Sequence, residues 1–223
     1  KGLPLAMRDA FEHYAQVMYD DYELLPVLVM DPLGLTTSAA YDYRILQAHR
    51  VMDPNDNITA FAFTPLGLMH KTALLGKGDN SEGDTLEDPG VLLEYDLFAF
   101  MDRGEPVWVK TTQREHHINA DYEHELDAED FHATIVAVEY SDGFGRQLQT
   151  RTQAEDLIFG DPLLGDSGLP ADQDAANAPA VGVMRDANDP LNVVVSGAKL
   201  YNNKGEVVEQ WEPYFGKGFE LHG

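Results

Sequence analysis

Histidine and carboxylate side chains crowd one short stretch of the chain, and such side chains bind transition metals. The stretch contains Glu115, His116, His117, Asp121, Glu123, His124, Glu125 and His132. Imidazole nitrogens and carboxylate oxygens suit zinc and similar ions. On a helix His117 and Asp121 would share a face, but the HExxH spacing of zinc hydrolases is absent. Dense charge is more often a solvated face, so we predict no metal site here.

A second stretch begins like a calcium-binding loop. Asp53, Asn55 and Asn57 occupy the alternate positions at which such a loop carries its oxygen ligands. The sixth position is Ile58, where an EF-hand requires glycine, and the twelfth is Thr64, where it requires glutamate. The segment therefore does not predict an EF-hand.

Nucleophilic and nucleotide chemistry find no support in the sequence. There is no Gly-x-Ser-x-Gly elbow, and Gly143-Phe144-Gly145 lacks the third glycine of a dinucleotide fingerprint. The chain has no cysteine, which excludes disulfides, thiol nucleophiles and thiolate metal sites. Aromatic residues such as Trp108 and Trp211 suggest a sugar-binding face, although aromatics on strands more often pack across a sheet. We expect no enzymatic activity and no cofactor.

The charge of the chain narrows its partners. It carries 15 basic and 39 acidic side chains, a formal net charge of −24. Nucleic-acid binding depends on neutralising phosphates with Lys and Arg, and anionic membrane surfaces attract basic segments. We therefore predict no nucleic-acid partner and no membrane contact. The sequence also has neither an apolar run long enough to span a bilayer nor a secretory signal.

An internal repeat runs through the first third of the chain, with a period of about 22 residues. Tyr19-Asp20 recurs as Tyr41-Asp42, and Asp31-Pro32 recurs at the same offset as Asp53-Pro54. The unit contains turn chemistry: Pro presets φ, Gly or Asn accepts positive φ, and Asp bonds to nearby backbone. Between the turns lie short stretches rich in β-branched and aromatic residues. Strand and turn alternate about every 11 residues, which predicts a β-meander of stacked hairpins.

The first repeat contains a competing pattern. Apolar residues at three- and four-residue spacing over 5–18 are typical of an amphipathic helix. The repeat places a turn and a strand there instead, and we follow the repeat. We divide the chain into repeat hairpins over 1–78, which hold about three units of 22 residues, an irregular acidic insertion with short strands over 79–130 and further repeat hairpins over 131–223. A long surface loop is expected over 160–190, and a last hairpin is expected to join 192–201 to 206–211.

These units resemble the Rhs/YD-repeat family, and longer blocks are similar to the B component of Tc insecticidal toxins, also called SpvB/TcaC-like proteins. The blocks are YDDYELLPVLVMDPLGLTT (19–37), YDYRILQAHRVMDPNDNITAFAFTPLGLMHKTALLGKG (41–78), VEYSDGFGRQLQTRTQAE (138–155) and SGAKLYNNKGEVVEQWEPYF (196–215). The resemblance is to the middle and C-terminal part of that component and is weakest over 79–130 and 156–192. The fold it implies is mainly β, a segment of a larger hollow β-shell with at most short helices.

The resemblance implies a structural role and specific partners. In this family the B and C components form a hollow shell of spiralling β-hairpins, which encloses a toxic effector and delivers it through the pore-forming A component. The expected partners are the rest of the B-component chain, the C component with its effector and, through other parts of the chain, the A component. The expected localisation is extracellular. No catalytic residue is carried over.

We assign repeat-turn roles to the residues that match the family pattern. They are Tyr19, Asp20, Asp31, Pro32, Gly34, Tyr41, Asp42, Asp53, Pro54, Asn57, Gly67, Tyr140, Gly143, Gly145, Tyr201 and Gly205. Asp56 stands where Gly is usual, and Thr64 stands where Asp is usual, so we expect weaker turns at both. The alternative function is a secreted YD-repeat binding module that contacts carbohydrate or a cell-surface partner.

Overall fold

Strands dominate the computed structural model, which describes residues 2–77, 82–120, 126–158 and 183–221. The strands are β1 (Ala6–Arg8), β2 (Tyr14–Tyr19), β3 (Pro26–Met30), β4 (Thr36–Asp42), β5 (Gln47–Met52), β6 (Asn57–Phe63), β7 (Met69–Lys77), β8 (Val91–Asp96), β9 (Val107–Arg114), β10 (Thr134–Ser141), β11 (Gln147–Gln153), β12 (Leu157–Ile158), β13 (Val183–Met184), β14 (Asn192–Ser196), β15 (Lys199–Tyr201), β16 (Val207–Gln210) and β17 (Tyr214–Lys217). The helices are α1 (Ala99–Arg103) and α2 (Ala128–Phe131). In the described ranges no helix is long and apolar enough to cross a membrane.

The main sheet is an antiparallel meander. It has 13 strands, in the order β1 to β11 followed by β14 and β17. The order is linear, so β1 and β17 are its edge strands. Two smaller sheets pair β12 with β13 and β15 with β16. The predicted mainly β, antiparallel hairpin meander with only short helices is confirmed.

Contacts divide the chain into two units. Unit 1 comprises residues 1–94 and 112–134, and unit 2 comprises residues 95–111 and 135–223. Unit 1 buries little for its length: its buried apolar residues in the described ranges are Ile58, Ala60 and Ala73. Ala60 and Ala73 are paired across β6 and β7. Because paired residues point to the same face of a sheet, these alanines form one small buried row.

Unit 2 has a more conventional small core. Val193 and Val195 on β14 are fully buried, and Ala198 and Phe219 pack against them. The neighbours of β14 are β11 and β17, so this buried strand is covered on both edges. Neighbours on both sides and β-branched side chains together account for its burial.

The first repeat follows the register of the later ones. β1 pairs with β2 around a turn at Asp9, so the helical pattern over 5–18 does not form a helix. The helical pattern describes only the spacing of apolar residues along this segment. The strand pairing of the neighbouring hairpin continues through it, since β2 pairs with both β1 and β3. Tertiary pairing therefore overrides the local pattern.

Two expectations about the second half were wrong in part. The last hairpin begins only at Lys199, because the preceding β14 leaves it to pair with β11 and β17. The expected loop over 160–190 contains strand β13, which pairs with β12; residues 160–182 of it lie outside the described ranges.

Candidate functional site

One turn geometry recurs where the strands of the sheet end, and the turn at Asp31 shows it fully. The Asp31 amide donates to the Leu35 carbonyl over 2.9 Å, and the Gly34 amide donates to the Asp31 carbonyl over 3.0 Å. Asp31 Oδ1 accepts the amides of Leu33 and Leu35 over 2.8 and 2.9 Å. One side-chain oxygen thus satisfies two backbone donors that the tight hairpin would otherwise leave to solvent.

The same hydrogen bonds form at four further positions. The capping residues are Asp9, Asp53, Asp142 and Asn202, each of which accepts the amides two and four residues later. Thr64 replaces aspartate in a sixth turn, where its hydroxyl accepts only the Leu68 amide over 3.1 Å. The turn nevertheless closes, since the Thr64 amide donates to the Leu68 carbonyl over 2.8 Å.

Two intervening turns are longer by one residue. Asp20 and Asp42 begin them, and the Asp20 amide donates to the Leu25 carbonyl over 2.9 Å. Asp20 Oδ1 accepts the Leu24 amide, and Asp42 Oδ1 accepts the Arg44 amide. Capping residues therefore stand at positions 9, 20, 31, 42, 53 and 64 of the sequence, an even spacing of half a repeat.

The tyrosines that precede the turns bridge neighbouring strands. Tyr41 donates its hydroxyl to the Pro26 carbonyl over 2.8 Å, and Tyr19 donates to the Pro4 carbonyl over 3.3 Å. Both bonds span the same number of residues, so they form one rung per repeat. In unit 2 Tyr140 donates to the Phe219 carbonyl over 2.6 Å and Tyr201 donates to the Gln147 carbonyl over 3.0 Å.

Turns on one side of unit 1 also contact one another. Tyr43, in the turn at Asp42, donates its hydroxyl to Asp20 Oδ2 over 2.7 Å. The rings of Tyr22 and Tyr43 meet edge to face at 5.4 Å. The hydrogen bond to Asp20 raises the pKa of Tyr43 to about 12. Burial opposes ionisation of Asp20, but the bond from Tyr43 and the turn amides outweigh it and lower the pKa of Asp20 below 3.8.

The next contact along this side comes from an arginine. Arg44 donates through Nη1 to the carbonyls of Thr64 and Pro65, over 3.0 and 2.8 Å. Ile45 Cγ2 lies only 2.8 Å from where a Cβ at Gly67 would be. The turns at 20, 42 and 64 are thus joined in one row, which we call the turn row.

Unit 2 contains a similar link between two turns. Arg146 forms an ion pair with Asp142 and lies over the Tyr201 ring, 4.6 Å from its centroid. Its Nη1 would meet a Cβ at Gly205, in the turn at Asn202, at 2.6 Å. The predicted turn residues Gly143, Gly145, Tyr201 and Gly205 therefore lie in two turns that Arg146 brings into contact.

The histidine-rich stretch forms a structural link where the structure describes it. His117 Nδ1 lies 2.9 Å from Oδ2 of Asp84, which is 4% exposed, and the Ile118 amide donates to Asp84 Oδ1. Gly90 approaches the same carboxylate so closely that a Cβ there would clash with Asp84 Oδ2. Asp84 therefore ties the loop before β8 to the segment after β9.

No group of three potential metal ligands occurs in the described ranges. Glu115, His116 and His132 lie there with His117, whereas Asp121, Glu123, His124 and Glu125 fall outside them. Asp53, the first residue of the calcium-like stretch, serves instead as a turn cap bonded to Asn57.

An open cleft of about 470 Å³ lies within unit 2. Trp108 and Tyr140 supply its aromatic walls, and Glu105, Lys110 and Glu220 supply charged groups. Arg103 holds Glu105 through a 2.8 Å bond and Asp96 through a 2.6 Å bond. The lining of the cleft therefore mixes aromatic and charged side chains, residue types that small-ligand sites also contain.

Comparisons with known proteins show which solved structures this fold is similar to. No protein-family model matches the chain, and no curated protein matches its sequence. A crystal structure of TcdB2-TccC3 matches 91% of the chain with a TM-score of 0.60 and 21% identity. The chain is similar in fold to one segment of that assembly. A TcdB2-TccC3-TEV structure gives a TM-score of 0.61 over 93% of the chain, and the Photorhabdus luminescens Tc holotoxin pore gives 0.59 over 91%, both at 17% identity.

The matched segment is a small part of those chains. It spans 10% of the first Tc chain and 12% of the other two. At these identities the similarity establishes a common fold, the antiparallel hairpin meander of a Tc component. It does not by itself carry over the activity or partners of the complete assemblies.

Sequence reasoning missed several residues that the turns depend on. Tyr43 and Arg44 follow Asp42 directly, and a search for repeat-to-repeat side-chain donors would have singled them out. Arg146 was detectable as the basic residue that follows a predicted Gly-rich turn. Asp84 had a weaker signal, namely an acidic residue near a glycine, Gly90, that leaves room for its carboxylate.

Proposed function

We propose that this chain is a structural segment of a toxin-complex B component and forms part of the β-shell that encloses and helps deliver a toxic effector. The observation that carries the proposal is the 13-stranded linear meander, whose fold matches Tc component structures over more than nine-tenths of the chain. The proposal assigns no catalytic step to the chain. Its partners are then the rest of the B component, the C component with its effector and, through other parts of the parent chain, the A component.

The limited burial in unit 1 supports this role. Large apolar side chains such as Leu5, Met7, Phe11 and Leu33 are each about two-thirds exposed or more. Monomeric domains seldom expose so many large apolar groups without a partner surface. A sheet that is one arc of a larger wall would cover such groups with neighbouring arcs. The function of such a wall is to enclose the effector, and regular backbone pairing between strands is sufficient for that function.

The turn row supports the same role through mechanical continuity. Neighbouring hairpins are joined by ladder hydrogen bonds, and the turns at 20, 42 and 64 are joined in addition by Tyr43 and Arg44. Such links oppose sliding of one hairpin against the next and so help a wall of hairpins to keep its register. The proposed localisation is extracellular, because a shell that delivers an effector acts outside the producing cell.

The deciding experiment is to purify the native polypeptide that carries this sequence from its source and measure its intact mass. We expect a chain several times heavier than 24.8 kDa, and electron microscopy of it with its C component should show a hollow particle. A variant that lacks residues 31–52, one complete repeat, is the control. It is imaged in the same way to see whether the particle still closes when one repeat is missing. A native product near 24.8 kDa, or a solid particle, would overturn the shell role.

The unit 2 cleft favours one second candidate, a carbohydrate-binding module. Trp108 on its wall is the kind of flat aromatic surface on which a sugar ring stacks. A glycan array, followed by thermal unfolding with any glycan retained, tests this function. Ligand-dependent stabilisation that Trp108→Ala abolishes would support it, whereas an empty array would remove it.

A further inference from the structure

The hairpin of β15 and β16 leaves one strand edge uncovered. It forms a two-stranded sheet of its own, and β16 pairs only with β15 among the strands of the described ranges. A two-stranded hairpin is marginally stable by itself, and an open edge is a template for another strand. The edge of β16 is therefore the place in unit 2 to look for a binding partner.

The outward-facing backbone groups of this edge are defined by the pairing. The Trp211 amide donates to the Ala198 carbonyl over 3.1 Å, which is an inward bond. The adjacent pair joins Lys199 to Gln210. Because inward and outward groups alternate along an antiparallel strand, the N–H and C=O of Gln210 face away from β15, where an incoming strand would bond to them.

The side chains of this edge are both apolar and uncovered. Every residue of 206–215 is exposed. Leu200 is paired with Glu209, and Trp211 lies two residues beyond Glu209, so all three share one face. Leu200 is 49% exposed and Trp211 is 45% exposed. Along the open edge this face presents Glu209 and then Trp211, and Leu200 stands beside Glu209 on β15.

The acidic side chains of the segment give the partner its charge. Glu206, Glu209 and Glu212 recur every third residue. Within the described ranges none of the three forms a salt bridge, although Glu206 accepts a 2.8 Å bond from Asn202 Nδ2. Because side chains alternate between the two faces of a strand, Glu209 and Glu212 lie on opposite faces. A partner strand that carries both Lys or Arg and apolar residues would pair with these carboxylates and cover the apolar groups.

We propose that the β16 edge binds an extended, basic and apolar segment of a partner protein, which adds to the hairpin as a third strand. Backbone bonding at Gln210 supplies affinity, and the acidic Glu209 and the aromatic Trp211 on the edge strand supply specificity. This mode of recognition is β-augmentation. It goes beyond the shell role, and its test needs no toxin component.

The test uses the full chain and a labelled synthetic peptide that alternates Val and Lys, followed by fluorescence anisotropy. We expect saturable binding that weakens about tenfold or more in Gln210→Pro, which removes the outward N–H and leaves the β15 pairing intact. Gln210→Ala is the matched control, because it keeps that N–H. Circular dichroism checks that both variants retain the fold.

Charge provides an independent second arm. Glu209→Lys should weaken binding of the Val/Lys peptide several-fold, whereas Glu87→Lys, the same charge change on an exposed residue of unit 1, should leave it unchanged. A peptide that alternates Val and Glu should not bind. Equal binding of the two peptides, or equal binding by the Pro and Ala variants, overturns the proposal. So does dimerisation of the chain that Gln210→Pro abolishes, because the occupant would then be a second copy.

Discussion

Left-handed backbone at the fourth residue of a hairpin turn is met by glycine in some repeats and by an acidic residue in others. Gly34 has φ +84° and Asp56, one repeat later, has φ +64°. A side chain in this region costs energy that glycine avoids, although Asp tolerates it better than most residues. Nothing lies within 4 Å of a Cβ at Gly34, so at that position the cost is conformational alone.

These two positions make a matched pair of substitutions. Asp56→Gly should stabilise the chain by up to about 1 kcal/mol, because it removes the strain of a left-handed side chain. Gly34→Asp should destabilise it by a similar amount. Urea unfolding of the wild type and both variants measures the two changes. A destabilising Asp56→Gly would show that the Asp56 side chain makes a contact worth more than the strain.

The Asp20–Tyr43 hydrogen bond makes a prediction about alkaline pH. The pKa of Tyr43 in the folded chain is about 12, above its ordinary value of 10.0. Folding therefore favours the protonated phenol, so this contribution to stability is complete below pH 10 and is lost as the pH rises through about 12. Asp20→Asn should return the pKa of Tyr43 toward 10.0, as measured by NMR titration of isotope-labelled tyrosine.

Asp21→Asn is the control for that titration. Asp21 acts on Tyr43 only through its charge and is the weakest of the causes that raise the pKa of Tyr43. Its removal should shift the Tyr43 titration far less than the removal of Asp20. Equal shifts in the two variants would mean that charge, and not the 2.7 Å hydrogen bond, controls Tyr43.

Between elements, the turn row makes neighbouring hairpins interdependent. Gly67→Ala places a methyl group 2.8 Å from Ile45 Cγ2 in the adjacent turn, on a backbone with φ +83°. Overpacking of this kind costs about 1–3 kcal/mol, in addition to about 1 kcal/mol for the left-handed conformation. Gly34→Ala carries only the second cost, so the difference between the two variants in unfolding free energy measures the contact between turns.

A second substitution identifies the clashing partner. Ile45→Val leaves Cγ2 in place, whereas Ile45→Ala removes it, so only the latter should relieve Gly67→Ala in a double mutant. Relief by neither would show that the backbone strain at Gly67 explains the whole effect.

Elements with local signals could be predicted from sequence, and those with distant partners could not. The repeat predicts the hairpins because Asp, Pro and Gly act on backbone only a few positions away. The departures at Asp56 and Thr64 were recognisable for the same reason, and both turns still close. The partner of β14 was not predictable: β17 lies beyond the whole β15–β16 hairpin, and no local pattern specifies that it pairs with β14.

The contacts of the turn row lie between these extremes. Tyr43 contacts Asp20 across 23 residues, close to one repeat, so the periodicity brings the two turns together. The sequence alone does not say that a side chain will bridge them. Asp84 is the opposite case, since its bond to His117 spans 33 residues without any repeat. The burial of the Asp84 carboxylate follows from the three-dimensional fold, and no local sequence pattern predicts it.

At the scale of the whole molecule, the open edge at β1 should control how the isolated chain associates. Met7 is 71% exposed on this edge strand, and exposed apolar edges promote edge-to-edge pairing. Met7→Lys should lower self-association, as measured by light scattering over a concentration series. Met101→Lys, at a residue 80% exposed on α1, adds the same charge away from any edge and should have a smaller effect. Equal effects would indicate that net charge alone limits association.

The even spacing of the capping residues constrains how such a protein can change in length during evolution. Caps recur at half-repeat intervals over 9–64, and successive turns lie on opposite sides because each strand reverses direction. Loss of a single strand and turn would reverse every later strand and move the equivalents of Tyr43 and Arg44 to the wrong side. Gain or loss of a whole repeat unit preserves both sides. Genetic duplication or deletion should therefore be tolerated in units of two strands, so that related sheets differ by pairs of strands.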